Sequence, residues 1–94
     1  MAAEIIHDAA HQRFTHERDG QTSYLVYRRL DDKTVDFVST YTPPALRGRG
    51  IAARVVKRAL EWAESEGMKV VPSCWFVREY VERDPSWQRV IASR

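Results

Sequence analysis

The stretch Thr40-Tyr41-Thr42-Pro43-Pro44-Ala45-Leu46-Arg47-Gly48-Arg49-Gly50-Ile51-Ala52 decides how this chain folds. A strand ends at its start, a double proline turns the chain, and a basic Gly-x-Gly opens a long helix. Pro43-Pro44 removes two backbone donors and sets φ, so no strand runs through it. The first turn of a helix presents unpaired N–H groups and a partial positive charge, which accept an anion such as phosphate. Glycine lets that anion approach the backbone with no Cβ in the way. The helix charges run against its macrodipole. Arg47, Arg49, Arg54, Lys57 and Arg58 crowd the first half, and Glu61, Glu64 and Glu66 lie in the second. Each cation near the N-terminus costs about 0.3–1 kcal/mol unless an external anion offsets it. The pattern points to an anion cradle. Its plain alternative is a solvated basic helix face, because Gly-x-Gly alone is a weak signal.

Behind the loop, Ile51, Ala52, Val55, Val56, Ala59, Leu60 and Ala63 form one apolar stripe of helical period, predicting a helix from about Leu46 to Glu66. Gly67 suits the left-handed residue after a helix end, and Met68 to Val71 reads as a short strand closed by Pro72. A strand–helix–strand crossover sets the second strand parallel to the first. Ser73 is a candidate N-cap for a helix over Cys74 to Glu82, with Trp75, Phe76, Val77, Tyr80 and Val81 as its apolar contacts. Trp87, Val90 and Ile91 form a short helical tail that folds back.

Ahead of the loop, Asp19-Gly20 between two extended segments is a hairpin signal. Ile5-Ile6 reads as a weak strand, residues 11–17 and 22–30 as strands, and Asp31-Asp32-Lys33 as a turn. Thr34 to Tyr41 alternates Val35, Phe37, Ser39 and Tyr41 against Asp36, Val38 and Thr40. The expectation is an α+β fold: a mixed, mainly antiparallel sheet of four to five strands, a long helix, a shorter one and a helical tail.

At 94 residues the chain is expected to be a single domain, 1–94, with room for one sheet layer and two helices. A hydrophobic fraction of 44% excludes a disordered chain. Fifteen basic against 13 acidic residues leave only +2, so net charge does not itself argue for nucleic acid or a membrane. One cysteine excludes an internal disulfide framework, and no apolar run suggests a membrane span or secretory signal. A cytoplasmic protein is expected.

Cys74 falls where a buried strand delivers the chain to a helix start, a position that favours thiolate and suits a nucleophile or proton donor. Apolar burial opposes this, and a lone cysteine commonly just packs. His7, His11 and His16 lack companions at ligand spacing, so no metal site is expected and they read as surface residues.

Arg47-Gly48-Arg49-Gly50-Ile51-Ala52 resembles the pyrophosphate loop of the GNAT acetyltransferase superfamily. Its Arg/Gln-x-x-Gly-x-Gly/Ala motif falls on Arg47, Gly50 and Ala52. The run from Phe37 through Gly50, Val70-Val71-Pro72-Ser73-Cys74 and Asp84-Pro85-Ser86-Trp87 resemble the small YjdJ-type GNAT-like family, over residues 11–87. The resemblance implies a minimal GNAT-like fold with acetyl-CoA held where the strand ending at Tyr41 splays from the one ending at Val71. Phosphates would rest on the N–H groups of Gly48, Arg49, Gly50, Ile51 and Ala52. Pantetheine would run along Thr40, Tyr41 and Thr42, and the thioester would point toward Ser73 and Cys74, the family's proposed catalytic cysteine. Two features depart from relatives. Ser39-Thr40 stands where the small family commonly has His-Thr, and Tyr41 occupies the strand end where no counterpart of the usual glutamate base is evident.

The implied function is an acetyl-CoA-dependent N-acetyltransferase acting on an unidentified amine, with Cys74 as nucleophile or proton donor. No membrane partner is implied, and a monomer is compatible with the sequence. The alternative is a non-catalytic CoA-binding or polyanion-binding module using the basic helix face. The RNA form of that alternative lacks the basic-Gly-aromatic strand signature of sheet-type RNA binders.

Overall fold

The computed structural model describes residues 5–92. Five strands, β1 (Ile5–Asp8), β2 (Arg13–Arg18), β3 (Gln21–Asp31), β4 (Thr34–Tyr41) and β5 (Lys69–Val71), form one sheet in sequence order. The first four are antiparallel, and β5 joins β4 in parallel, as the crossover requires. Helix α1 (Ile51–Ser65) makes that crossover, and α2 (Trp75–Arg83) follows β5. Short 3-10 turns cover Ala9–His11, Pro44–Leu46 and Pro85–Val90. The hairpin joining β2 to β3 turns on Asp19 and Gly20, with φ of 53° and 73°. Both positive values match the twist of the flanking strands.

Register assigns each strand residue to a face. Phe14, His16, Ser23, Leu25, Tyr27, Val35, Phe37 and Val70 share one face, and all are buried. The other face carries Thr15, Tyr24, Val26 and Asp36, none of them buried. The expected alternation of β4 fails at one point. Tyr27 pairs with Phe37 but Val26 pairs with Ser39, so Val38 is an extra residue on β4. This bulge puts Thr40 on the inner face with Val35 and Phe37, and Ser39 and Tyr41 on the outer face. Leu30 is a second extra residue, on β3 between Arg29 and Asp31.

Helix α1 buries Ile51, Val55, Val56, Ala59, Leu60 and Ala63 against the inner face, together with Trp62, which the apolar stripe omits. The helix begins five residues later than expected, because the 3-10 turn at Pro44–Leu46 and an extended Arg47 intervene. Its end closes as expected: Gly67 is left-handed at φ 69°, its N–H donates to the Glu64 carbonyl, and Met68 N–H donates to the Ala63 carbonyl. Helix α2 buries only Val77 and Val81, and Trp75, expected to pack, is 64% exposed. The tail buries Trp87 and Val90 and returns Ile91 beside Val70 of β5. No helix among the described residues is long and apolar enough to cross a membrane.

The histidines are not all at the surface. His16 is 2% exposed, because its strand position places it on the inner face opposite Ser23, and neither His16 Nδ1 nor Ser23 Oγ finds a hydrogen-bond partner. His7 stacks on Phe14 with ring centroids 4.3 Å apart and shares a 2.6 Å hydrogen bond with the Tyr27 hydroxyl. Burial, and then the charges of Arg58 and Arg29, hold the His7 pKa below its ordinary value.

Candidate functional site

The parallel pairing of β4 and β5 covers only Thr34 to Asp36, after which the two segments separate. One further bond, from Cys74 N–H to the Phe37 carbonyl at 3.0 Å, pins the start of α2 beside the bulge. Beyond it the end of β4 stands alone, and a cleft of about 600 Å³ opens there. Thr40, Tyr41 and Thr42 form one side, the loop and first turn of α1 from Leu46 to Ala53 another, and Trp75 with Phe76 at the start of α2 a third. Both α-helices therefore begin at the same cleft.

The loop is shaped by three local choices. Pro44 starts a 3-10 turn that carries Leu46 inward, where it is 1% exposed. Arg47 Nε donates 2.9 Å to the Thr42 carbonyl, tying the loop back to the strand end. Gly48 and Gly50 take φ of 82° and 75°, a left-handed conformation that costs other residues about 1–2 kcal/mol. Gly50 is the N-cap of α1 and, lacking a side chain, supplies no capping bond. The first intrahelical bond runs from Arg54 N–H to the Gly50 carbonyl. Among the described residues, none accepts a hydrogen bond from the N–H groups of residues 48–53. These groups are donors in want of an acceptor, at the positive end of a helix dipole.

The sequence-derived residues do not all meet. Thr40, Tyr41, Thr42, Arg47, Gly48, Gly50, Ile51 and Ala52 line the cleft, and Arg49, Ser73 and Cys74 do not. Ser73 is exposed and caps nothing; Cys74 itself holds the N-cap position of α2, without a side-chain capping bond. The turn before it is braced by Arg78, whose Nη1 donates to the carbonyls of Pro72 at 3.1 Å and Ser73 at 2.8 Å. The Cys74 thiol is 6% exposed and lies 3.6 Å from Thr40 Oγ1. Thr40 thus stands between the cleft and the thiol.

Leu46, Ala53, Trp75 and Phe76 line the cleft without having been placed there by the sequence reading. Trp75 was expected to pack inward, and it forms a wall of the cleft instead. Arg54 was counted in the basic helix face, yet its Nη1 comes to 4.0 Å from where a Cβ on Gly50 would lie. The i, i+4 spacing of Gly50 and Arg54 was the available signal, since such residues share one helix face.

Comparison with known proteins agrees with this architecture. A family model described as GCN5-related N-acetyl-transferase matches residues 13–90. Protein NATD1 of Xenopus tropicalis is 35% identical over 83 residues, covering 86% of this chain and 76% of that protein. Protein NATD1 of Homo sapiens is also 35% identical over 83 residues, covering 86% and 74%. A Staphylococcus aureus protein described as GCN5-like, solved by NMR, matches with a TM-score of 0.71 over 97% of this chain and 89% of its own. At 22% identity that last likeness shows a common fold.

Proposed function

The chain belongs to the GCN5-related N-acetyltransferase family, and from that premise we propose that it binds acetyl-CoA in the cleft and transfers the acetyl group to an amine. The observation that carries this reading is the opening of the cleft where β4 parts from the chain after β5, directly beside the unpaired N–H groups of residues 48–53. A pyrophosphate fits those donors by charge and by hydrogen-bond demand. Arg47, Arg54 and the loop backbone hold the phosphates. The unpaired edge of β4 at Thr40 to Thr42 offers main-chain groups to the amides of the pantetheine arm, and Trp75 and Phe76 close the far side.

In this reading Cys74 is a proton donor. Its thiol is buried and outside the cleft lining, and Thr40, which lines the cleft, lies 3.6 Å from it. An amine attacks the thioester carbonyl, the carbon–nitrogen bond forms and the carbon–sulfur bond breaks. The departing CoA thiolate takes the Thr40 hydroxyl proton, Thr40 takes the Cys74 thiol proton, and the amine's surplus proton passes to solvent. Cys74 then regains its proton from solvent.

Native mass spectrometry of the chain with acetyl-CoA tests both parts. A complex of one acetyl-CoA per chain, turned over to CoA when an amine is supplied, is the expected outcome. Absence of any complex would remove the reading. A stable acetyl adduct on Cys74 would replace the proton-donor role with that of a nucleophile.

A further inference from the structure

Between β5 and α2 the chain turns at Pro72 and Ser73, where the backbone supplies little support of its own. Proline has no N–H to donate, and among the described residues no backbone N–H donates to the carbonyl of either residue. One side chain meets both acceptors: Arg78 Nη1 donates to Pro72 at 3.1 Å and to Ser73 at 2.8 Å. A charged donor makes such bonds stronger than neutral ones. Neither helix stability nor ion pairing accounts for Arg78. A cation at the fourth residue of α2 opposes the helix dipole, and among the described residues its guanidinium joins no salt bridge, the neighbouring Glu79 being engaged by Arg83 at 3.1 Å.

The next residue in the chain is Cys74. Its N–H is fixed to the Phe37 carbonyl at 3.0 Å, and its own carbonyl accepts from the Arg78 N–H at 3.1 Å. Arg78 thus grips three successive carbonyls, two through its side chain and one through its backbone. What this grip sets is the place of a thiol 6% exposed and 3.6 Å from Thr40 Oγ1, a contact that weakens steeply with any further separation. Arg78 itself is exposed and lies outside the cleft lining. We propose that Arg78 is a positioning residue, holding the turn at residues 72–74 so that the Cys74 thiol stays against Thr40 and closed off from solvent.

The inference rests on the reading of Cys74 as proton donor, and two measurements on the full chain test it, one of which needs no turnover. Iodoacetamide should alkylate Cys74 about tenfold faster in Arg78→Ala than in the parent, with Arg78→Lys, which keeps a cationic donor, between the two. In steady-state transfer from acetyl-CoA, Arg78→Ala should lose about 10- to 10²-fold in kcat while KM for acetyl-CoA stays within about twofold, and Arg78→Lys should recover part of the loss. A residue that only stabilises the fold would lower the melting temperature and leave the alkylation rate and kcat of the folded protein unchanged, and that result overturns the proposal. So does a loss confined to KM, or an Arg78→Lys protein no better than Arg78→Ala in either measurement. A parent chain that transfers acetyl to no amine ends the transferase reading instead, and the alkylation rates then decide by themselves whether Arg78 holds the thiol.

Discussion

Replacing Gly50 by glutamate places two separable burdens on the proposed phosphate cradle. The first is conformational: at φ 75° a residue with a Cβ loses about 1–2 kcal/mol. For a domain of this size, each kcal/mol lowers the melting temperature by about 4–8 °C. The second is specific to the site, because a carboxylate would sit among the N–H groups meant for an anion. A ligand present at a hundredfold excess over its dissociation constant stabilises the folded state by about 2.7 kcal/mol, and the same scaling makes that a rise of about 10–20 °C. Gly20 supplies the control. It has φ 73° with nothing within 4 Å of an added Cβ, and it lies in the β2–β3 hairpin, outside the cleft. Gly20→Ala and Gly50→Glu should therefore both melt about 5–15 °C below the parent without ligand. With CoA, Gly20→Ala should recover the full rise and Gly50→Glu almost none. Differential scanning fluorimetry with and without CoA reads both. A Gly50→Glu protein that keeps the whole CoA-induced rise would refute the cradle.

Three other outcomes follow from the same structure. Cys74→Ala should keep the CoA-induced rise, since the thiol lies outside the cleft lining, while acetyl transfer falls by about 10²-fold or more, the low end for loss of a general acid; full transfer activity would reduce Cys74 to a packing residue. Trp75→Ala should leave the melting temperature within a degree or two, its side chain being 64% exposed, and raise KM in a steady-state assay of CoA release. For His7, whose folded pKa is lowered chiefly by burial, the stabilising contribution is fully present above the unfolded value of about 6.5 and is lost as pH falls through the lower folded value. Melting curves from pH 8 to 5 should fall more steeply for the parent than for His7→Gln, and parallel curves would exclude His7 as the source.

The elements that local chemistry dictates were legible in the sequence. Asp19-Gly20 announced its hairpin because few other residues adopt two successive positive φ values, and the stripe from Ile51 to Ala63 announced α1 because only a helix gathers those positions on one side. Gly67 marked the helix end for the same conformational reason. The features that tertiary context decides were less visible. Trp75 reads as core by its composition, yet Cys74 takes the N-cap position and turns Trp75 toward the cleft. His16 reads as surface by its polarity, yet its place in β2 delivers it inward. The late start of α1 came from Pro44 and its 3-10 turn, which hydrophobic period does not report. The meeting of Thr40 with Cys74, 34 positions apart, depends on long-range pairing that no local motif encodes.

The extra residue at Val38 makes the far end of β4 a matter of odd and even. Up to Phe37 the inner positions are odd-numbered, and from Thr40 onward they are even. Deleting Val38 would remove the bulge and leave Thr40 on the inner face and Tyr41 on the outer, whereas a strand that kept Val38 in regular register would turn the hydroxyl of Thr40 outward and swing the Tyr41 ring to the side of Cys74. The bulge, and not the identity of any side chain beyond it, therefore decides which face the end of β4 presents. Two chains of this architecture could thus share every side chain around the cleft and still differ in which of them face it, so equivalence between relatives has to be counted from the bulge and not from the motif alone.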